Sequence, residues 1–292
     1  MTKKIQIVAD ATFDLPIDLI EKYDIDFIPL RIIFENEIRQ QYIDLPNKEF
    51  FDRLEAGESA TTGVPSPKAI KEVIDNALEK AEEVIVFTIS SQLSGVYSTV
   101  SLVVKQFFDE KVTVIDSRCA TLQYGLLVLE VARKLVKGAS KQELVDYAYE
   151  LIPKTHLISA AATLKYLRRS GRISRIQSLI GEVLRIKPIF HINEKGLLDA
   201  PGKVMLGKGL FEAFKKLVEK IAGKQLVETV FIGYSGNIDK AKQLVEHFRK
   251  QPNAPKEILI GEVGPAIGVH VGPDTIGIAW IGEYDEKWFE DI

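Results

Sequence analysis

A buried strand that runs straight into a polar loop and then a helix is the feature that most restricts the fold of this chain. Val84–Ile89 is a run of strand-forming residues, and a helical pattern begins after a short polar segment, Ser90-Ser91-Gln92-Leu93-Ser94-Gly95. A strand that is apolar throughout is typical of a parallel sheet covered by helices on both faces. Hydroxyls and free N–H groups before a helix suit an anion such as a carboxylate or a phosphate. The sequence therefore predicts an α/β fold with an anion-binding loop after this strand.

The same alternation of strands and helices extends over the first half of the chain. Apolar runs at Lys4–Ala9 and Val112–Ile115 predict two further strands. Three polar segments follow the three strands: Asp10–Thr12, Ser90–Gly95 and Asp116–Ser117. The carboxyl ends of parallel strands meet at one edge of a sheet, where ligands collect. We therefore expect these segments to share one rim.

Local signals predict several other elements. Ser66 and Pro67 open a helix, and Ser140 with Glu143 forms a capping box. Asn47 is expected to cap the helix that follows it. Phe27–Phe34 is interpreted as a strand, although Pro29 favours an edge position or an irregular start. Ser59–Pro67 is interpreted as a small polar loop, and Gly264–Asp274 is glycine-rich.

The length of the chain and a change in its sequence pattern predict two α/β domains. A chain of 292 residues exceeds the usual size of one compact core. The pattern changes after Pro153, so we place the boundary between residues 1–155 and 156–292. In the second part, arginines concentrate before a predicted hairpin at Asn193–Gly196; they are Arg168, Arg169, Arg172, Arg175 and Arg185.

Composition excludes several classes of protein. The formal net charge of −3 offers no basic patch for nucleic acid. A single cysteine, Cys119, makes no internal disulfide, and the scattered histidines disfavour structural zinc. Neither a signal peptide nor a membrane-spanning run is present in the sequence, so we expect a soluble, cytoplasmic protein. Rossmann and P-loop motifs are also missing, which argues against nucleotide-dependent catalysis and predicts no cofactor.

Five residues are candidates for contact with an anion, and each of the sites they form has a structural alternative. Ser94 with Gly95 could hold the anion or simply start a helix, and Thr62 could add a second hydroxyl or cap the next helix. His270 lies between Gly268 and Gly272, which allow close backbone approach, although a lone histidine is often structural. The Arg172 guanidinium could donate two parallel hydrogen bonds to a carboxylate or a phosphate, although many arginines near helix ends are solvated.

A serine hydrolase is the alternative enzyme hypothesis. Gly233-Tyr234-Ser235-Gly236-Asn237 follows a strand and resembles the nucleophile elbow, but Asn237 replaces its last glycine. Asp239 and His270 would complete a triad. Ser94 is the other serine on which an esterase or acyltransferase could be built.

Several motifs, taken in order, resemble the DegV family of bacterial fatty-acid-binding proteins over the whole chain. The matching segments are Thr62–Pro67, Ser90–Tyr97, Val114–Ser117, Leu167–Ile173 with Lys187–Ile189, and Gly264–Pro273. The resemblance implies two α/β domains with one long-chain fatty acid, such as palmitate, buried between them. It also implies that Thr62 and Ser94 hold the carboxylate, and that His270 and Arg172 lie near the head group.

The resemblance further implies partners. Some family members present the fatty acid to a separate fatty acid kinase, and exchange of the lipid would involve transient contact with a membrane surface. This chain departs from the family pattern at Ala11, Gly63-Val64, Met205 and Asp274. The last two bear on delivery to a kinase, because they alter the charge around the mouth of the site.

The free energy of burying an acyl chain is large enough to support binding of such a ligand. Each buried CH₂ contributes about 0.8 kcal/mol, so a dozen methylenes contribute roughly 10 kcal/mol before the costs of association. The head group then needs only orientation and hydrogen bonds that offset its desolvation. We therefore expect a binding protein and not an enzyme; a regulator that senses lipid would use the same site.

Overall fold

The computed structural model describes residues 3–108, 110–172, 186–205, 209–290 and 292. Within these ranges the strands form a four-stranded, a six-stranded and a three-stranded sheet. The protein is an α/β protein, as predicted, with a parallel N-terminal sheet and two further sheets. Arg175 and Arg185, named above, lie outside the described residues.

The N-terminal sheet is parallel throughout, as the apolar strands predicted. Its strands are β1 (Lys3–Asp10), β2 (Asp26–Ile28), β6 (Ala81–Thr88) and β7 (Val112–Asp116). In space they run in the order β2-β1-β6-β7. The chain order changes direction between β1 and β6, which makes this pair the switch point of the sheet.

Six helices connect and cover these strands. The helix that starts at Pro67 is capped by Ser66, whose side chain accepts from the Ala69 N–H, as predicted. The capping box of Ser140 and Glu143 is also confirmed. The helices are α1 (Ile17–Lys22), α2 (Asn47–Glu55), α3 (Pro67–Lys80), α4 (Val96–Phe107), α5 (Thr121–Val136) and α6 (Lys141–Leu151).

A small antiparallel sheet overturns two local predictions. Its strands are β3 (Arg31–Ile33), β4 (Ile38–Gln40) and β5 (Thr61–Gly63). Phe27–Phe34 is not one strand, because Pro29 offers no N–H to a ladder and β2 and β3 enter different sheets. Ser59–Pro67 is not only a loop, since β5 pairs with β3 and sets Thr62 opposite Ile32.

The prediction that Asn47 caps a helix is also wrong. It is the first residue of α2, and Pro46 occupies the cap position without a side-chain hydrogen bond. The Asn47 side chain instead donates to Glu262 Oε2 at 3.1 Å. A tertiary partner thus replaces the local capping bond that the sequence pattern suggested.

The second large sheet is mixed. Its strands are β8 (Thr155–Ala160), β9 (Ile186–Ile192), β10 (Leu198–Met205), β11 (Thr229–Tyr234), β12 (Glu257–Glu262) and β13 (Ile276–Ile281). In space they follow the order β10-β9-β8-β13-β11-β12, and among the described strands of this sheet only the β11–β12 pair is parallel. The predicted hairpin turn before β10 is confirmed, with Gly196 at φ +77°.

Within the described residues, four helices accompany this sheet: α7 (Lys165–Arg169), α8 (Leu210–Ile221), α9 (Asp239–Arg249) and α10 (Pro265–Val271). Helix α10 lies in the glycine-rich segment, where the sequence pattern predicts no helix. Gly264 is its cap residue, Pro265 fits the first helical position, and Gly272 ends it at φ +72°. His270 is therefore carried by a helix.

Helix α5 lies between the two large sheets and contacts β1 on one side and β8, β11 and β13 on the other. Its Leu122 packs on Gly233, where a Cβ would come within 2.6 Å of the Leu122 Cδ1 atom. The main apolar core runs without a break from the N-terminal sheet to Leu157 and Phe231 of the second sheet. The proposed division at 155/156 therefore remains a prediction.

Candidate functional site

Buried hydrogen bonds bring the three predicted polar segments together at one rim. Asp10 accepts from the Ile89 N–H at 2.5 Å and from the Thr12 N–H at 3.0 Å, which ties the loops after β1 and β6 to each other. Asp116 Oδ1 accepts from the Ser91 N–H at 3.1 Å. The predicted rim is therefore present at the switch point of the parallel sheet.

A cavity of about 120 Å³ lies beside this rim, between the two large sheets. Most of its lining is apolar and comes from both sheets and from α5. Representative apolar lining residues are Leu30, Ile89, Leu122, Leu157, Ile192 and Val263. Polar lining side chains are fewer; they are Thr12, Thr62, Ser94, Thr121, Ser159, Arg172, His270 and Thr275.

Thr62 and His270 form a hydrogen-bonded pair on the cavity wall. Thr62 Oγ1 lies 3.3 Å from His270 Nε2, although the two residues are 208 positions apart. Burial, assisted by the charge of Arg172, lowers the pKa of His270 to about 3. The imidazole is therefore neutral near pH 7. Its Nδ1 atom is buried and has no hydrogen-bond partner among the described residues.

Ser94 also lines the cavity, and it is not the helix cap that the alternative interpretation required. Gly95 occupies the cap position of α4, which starts at Val96. Within the described chain the Ser94 hydroxyl has no hydrogen-bond partner. Gly95 is exposed and is not part of the lining, and its nearest side-chain neighbour is Val64. The structure thus brings Ser94, Thr62 and His270 to one cavity and leaves Gly95 beside it.

Ser90 has a different position from Ser94. Its buried hydroxyl donates to the Gly196 carbonyl at 2.7 Å and accepts from the Gln92 N–H at 3.2 Å. These bonds brace the loop and attach it to the β9–β10 turn. This agrees with a supporting role for Ser90.

Arg172 lies at the cavity rim, directly after the helix-ending Gly171, which has φ +74°. The residue is exposed, and its Nη1 donates to the Ser170 carbonyl at 2.7 Å. An exposed guanidinium there adds positive potential next to the Thr62–His270 pair. Arg169 instead points to the N-terminal half and donates to Ser59 Oγ at 2.8 Å.

Four polar residues of the cavity lining were not among the predicted site residues: Thr12, Thr121, Ser159 and Thr275. Thr12 follows β1, on the predicted rim, and donates its hydroxyl to Asp10. Thr121 has φ +50°, an uncommon conformation for a β-branched residue. Only Thr12 had a sequence signal, namely its position directly after a buried strand.

The serine-hydrolase alternative does not fit the geometry at Ser235. Its hydroxyl is fully buried, donates to the Gly272 carbonyl at 2.8 Å and accepts from the Thr275 N–H at 2.9 Å. His270 is paired with Thr62, and Asp239 is exposed. Cys119 is likewise buried, and burial raises the pKa of its thiol, as expected of a small core residue.

Among the described residues, no group of three or more His, Cys, Asp or Glu side chains is placed to hold a metal ion. No helix in the described ranges combines the length and apolar character that crossing a bilayer requires.

The fold and the cavity together define a class: an α/β protein that encloses a mostly apolar cavity with a polar end at the switch point of a parallel sheet. The family model described as "Uncharacterised protein, DegV family" matches residues 4–283. The chain therefore belongs to the DegV family.

Relatives and solved structures agree with this membership. A DegV domain-containing protein of Caldanaerobacter subterraneus subsp. tengcongensis is 34% identical, with 94% of this chain and 98% of that protein covered. A DegV family protein from Thermus thermophilus, solved in a study of its fatty acid binding, is similar at a TM-score of 0.85. It is 29% identical, with 96% of this chain and 100% of that chain covered.

A Thermotoga maritima protein whose structure revealed a fatty acid binding function gives a TM-score of 0.82. It is 27% identical, with the same coverage of 96% and 100%. The chain thus shares its fold along nearly its whole length with two proteins described as fatty-acid-binding.

Proposed function

We propose that this protein binds one long-chain fatty acid, such as palmitate, in the cavity between its two large sheets. One observation carries the proposal: a largely apolar cavity has the Thr62–His270 pair and the unpaired Ser94 hydroxyl on its wall. A ligand with a long apolar chain and a single carboxylate matches a cavity wall that is mostly apolar and carries a few polar groups. The described fatty acid binding of the two structural relatives supports the same ligand class.

In this proposal the head group lies against Thr62, Ser94 and His270. A hydroxyl and a neutral imidazole N–H donate to a carboxylate, and hydrogen bonds to a charged group are stronger than neutral ones. Arg172 at the rim contributes positive potential, and Gly95 contributes backbone at the start of α4. The acyl chain takes the apolar lining, where each buried methylene adds about 0.8 kcal/mol.

We also propose the division at 155/156 and the protein's role as a carrier. The two large sheets would form the two domains, with the ligand between them. Delivery to a separate fatty acid kinase rests on the family resemblance. It is consistent with the absence of phosphate-loop motifs from the sequence, which leaves ATP binding to a partner.

Lipid extraction of the purified protein tests the ligand. Mass spectrometry should find about one long-chain fatty acid per chain, and delipidated protein should take up added palmitate in native mass spectra. Absence of both signals would exclude the proposed function. Covalent labelling of Ser94 by a fluorophosphonate would instead favour the esterase alternative.

The carrier role has its own test. A fatty acid kinase from the same organism, supplied with ATP and palmitate, should form acyl phosphate faster when this protein is present. Equal rates with and without the protein would exclude delivery while leaving fatty acid binding intact. Recovery of a different partner protein with the lipid-loaded chain would favour a regulator.

A further inference from the structure

Gln41 is a buried polar residue that lies next to the cavity without lining it. It follows β4, is 0% exposed and does not line the cavity. Its amide Nε2 donates to the Ala11 carbonyl at 2.8 Å and to Asp14 Oδ1 at 3.0 Å. Its Oε1 accepts from the Ala266 N–H at 2.8 Å. One side chain therefore joins the loop after β1 to the first turn of α10.

Asp14 completes this connection. It is buried, has φ +48°, and accepts from Gln41 and from the Thr121 hydroxyl, the latter at 2.6 Å. It also accepts from the Gly264 N–H, directly before α10. A Cβ on Gly264 would overlap Gln41, so only glycine fits there. We call Gln41 and Asp14 the clamp.

The clamp holds the N-terminal end of α10, whereas His270 lies near the C-terminal end of the same helix. Ala266 and His270 are four residues apart, about one helical turn, so they lie on the same face of the helix. A short helix has few backbone bonds of its own, and a shift at its first turn moves the whole element. The 3.3 Å separation of Thr62 Oγ1 and His270 Nε2 is sensitive to such a shift.

We propose that Gln41 and Asp14 are positioning residues, which hold α10 at its first turn so that His270 stays paired with Thr62 and available to the ligand carboxylate. This inference rests on the proposed function for its binding consequences. Its structural consequence, the position of the His270 ring, does not depend on any ligand.

Gln41→Leu tests the clamp by removing all three hydrogen bonds. We expect the affinity for palmitate to fall about tenfold, the scale of one buried hydrogen bond. The affinity for hexadecane, delivered from a cyclodextrin, should change less than twofold because it has no head group to position. Equal losses for both ligands would mean that Gln41 only supports the fold.

Gln41→Glu supplies a test that does not depend on the Leu variant folding. Its carboxylate would face Asp14, with Asp10 and Tyr42 as the other titratable groups of this region. Near pH 8 two adjacent carboxylates repel each other, whereas near pH 6 a shared proton restores a donor. The ratio of wild-type to variant palmitate affinity should therefore fall from about tenfold toward one as the pH is lowered. A ratio that does not vary with pH would contradict the clamp.

Gln6→Leu is the matched control, since Gln6 is equally buried and donates to the Asp24 carbonyl at 2.6 Å, away from α10. Nitrogen-15 NMR of the four histidines gives a readout without ligand. The His270 ring signals should shift in Gln41→Leu and stay in place in Gln6→Leu. Unchanged His270 signals in Gln41→Leu would overturn the proposal. Shifted signals in a protein that binds no palmitate would instead refute only the proposed function.

Discussion

At the scale of single residues, the site depends on polar groups that lack partners in an apolar wall. His270 Nδ1 is buried and makes no hydrogen bond within the described residues, and burial keeps the imidazole neutral. A buried unpaired group of this kind costs free energy unless a ligand satisfies it. The half-buried Ser94 hydroxyl also makes no hydrogen bond to the described residues. Their arrangement favours a ligand with one concentrated, hydrogen-bonding head group.

Replacing Ser94 by alanine should weaken palmitate binding by about 1–2 kcal/mol, the scale of a hydrogen bond to a charged acceptor. Isothermal titration with delipidated protein measures this change. Ser98→Ala, an exposed position on α4, is the control and should bind like the wild type. An unchanged affinity in Ser94→Ala would place the head group elsewhere.

Asp14 should make stability depend on pH. Burial raises its pKa from 3.8 to about 7, so the folded chain holds this proton more tightly than the unfolded chain. Protonated Asp14 therefore stabilises the fold at low pH. That stabilisation is lost as the pH rises from about 4 to about 7, by up to about 1.4 kcal/mol per pH unit.

Asp14→Asn, the isostere of the protonated carboxyl, removes this dependence. Urea unfolding of both proteins between pH 4.5 and 8 should show the variant gaining relative stability up to pH 7, with a constant difference above it. Asp18→Asn, at an exposed carboxyl of α1, serves as control. Parallel curves for wild type and Asp14→Asn would show that Asp14 titrates normally.

At the scale of elements, glycines let helix α10 approach its neighbours. A Cβ on Gly268 would lie 2.6 Å from Phe50 and 3.0 Å from Phe51, and one on Gly272 would overlap Tyr166. The sequence pattern predicts close backbone approach at Gly268 and Gly272, but it does not predict the helix that contains Gly268 and ends at Gly272. The packing of α10 and its hydrogen bonds to the clamp together fix where His270 stands.

Gly268→Ala should therefore destabilise the protein by about 1–3 kcal/mol, since overpacking forces the two phenylalanines or the helix to move. Thermal unfolding measures the loss, and palmitate affinity should fall with it. Gly209→Ala is a suitable comparison, because its Cβ would meet mainly the flexible side chain of Glu212. If Gly268→Ala is as stable as Gly209→Ala, α10 is not held by this contact.

At the scale of the whole molecule, α5 links the two large sheets by charge as well as by apolar packing. Arg133 donates to Glu130 at 2.8 Å, and to Thr229 and Glu257, at the start of β11 and β12, at 2.5 Å each. Its Nε also reaches the Tyr23 hydroxyl at 3.4 Å. A guanidinium with several partners from distant parts of the chain contributes more than an isolated surface pair.

Arg133→Ala should lower the free energy of unfolding by about 2 kcal/mol, because it leaves partly buried carboxylates without their partner. Arg249→Ala, which breaks an exposed pair with Glu246, should cost less than about 0.5 kcal/mol. Urea denaturation compares the two variants directly. Equal, small effects would show that apolar packing of α5 alone joins the sheets.

The sequence by itself determined most of the helices and strands, and it predicted the rim at the end of β1, β6 and β7. These features depend on local pattern: apolar runs, caps such as Ser66 and Ser140, and turn glycines such as Gly196. The resemblance to a family suggested candidate site residues, and four of them, Thr62, Ser94, Arg172 and His270, line the cavity.

Only the tertiary structure decided which distant groups meet. Strand β5 exists because Thr62 pairs with Ile32, and Asn47 leaves its expected capping role because Glu262 lies within reach. The Thr62–His270 pair and the bond from Gln41 to Ala266 join positions more than 200 residues apart. Such contacts carry no local signal, because burial and hydrogen bonding between distant segments are settled only when the sheets and α5 pack together.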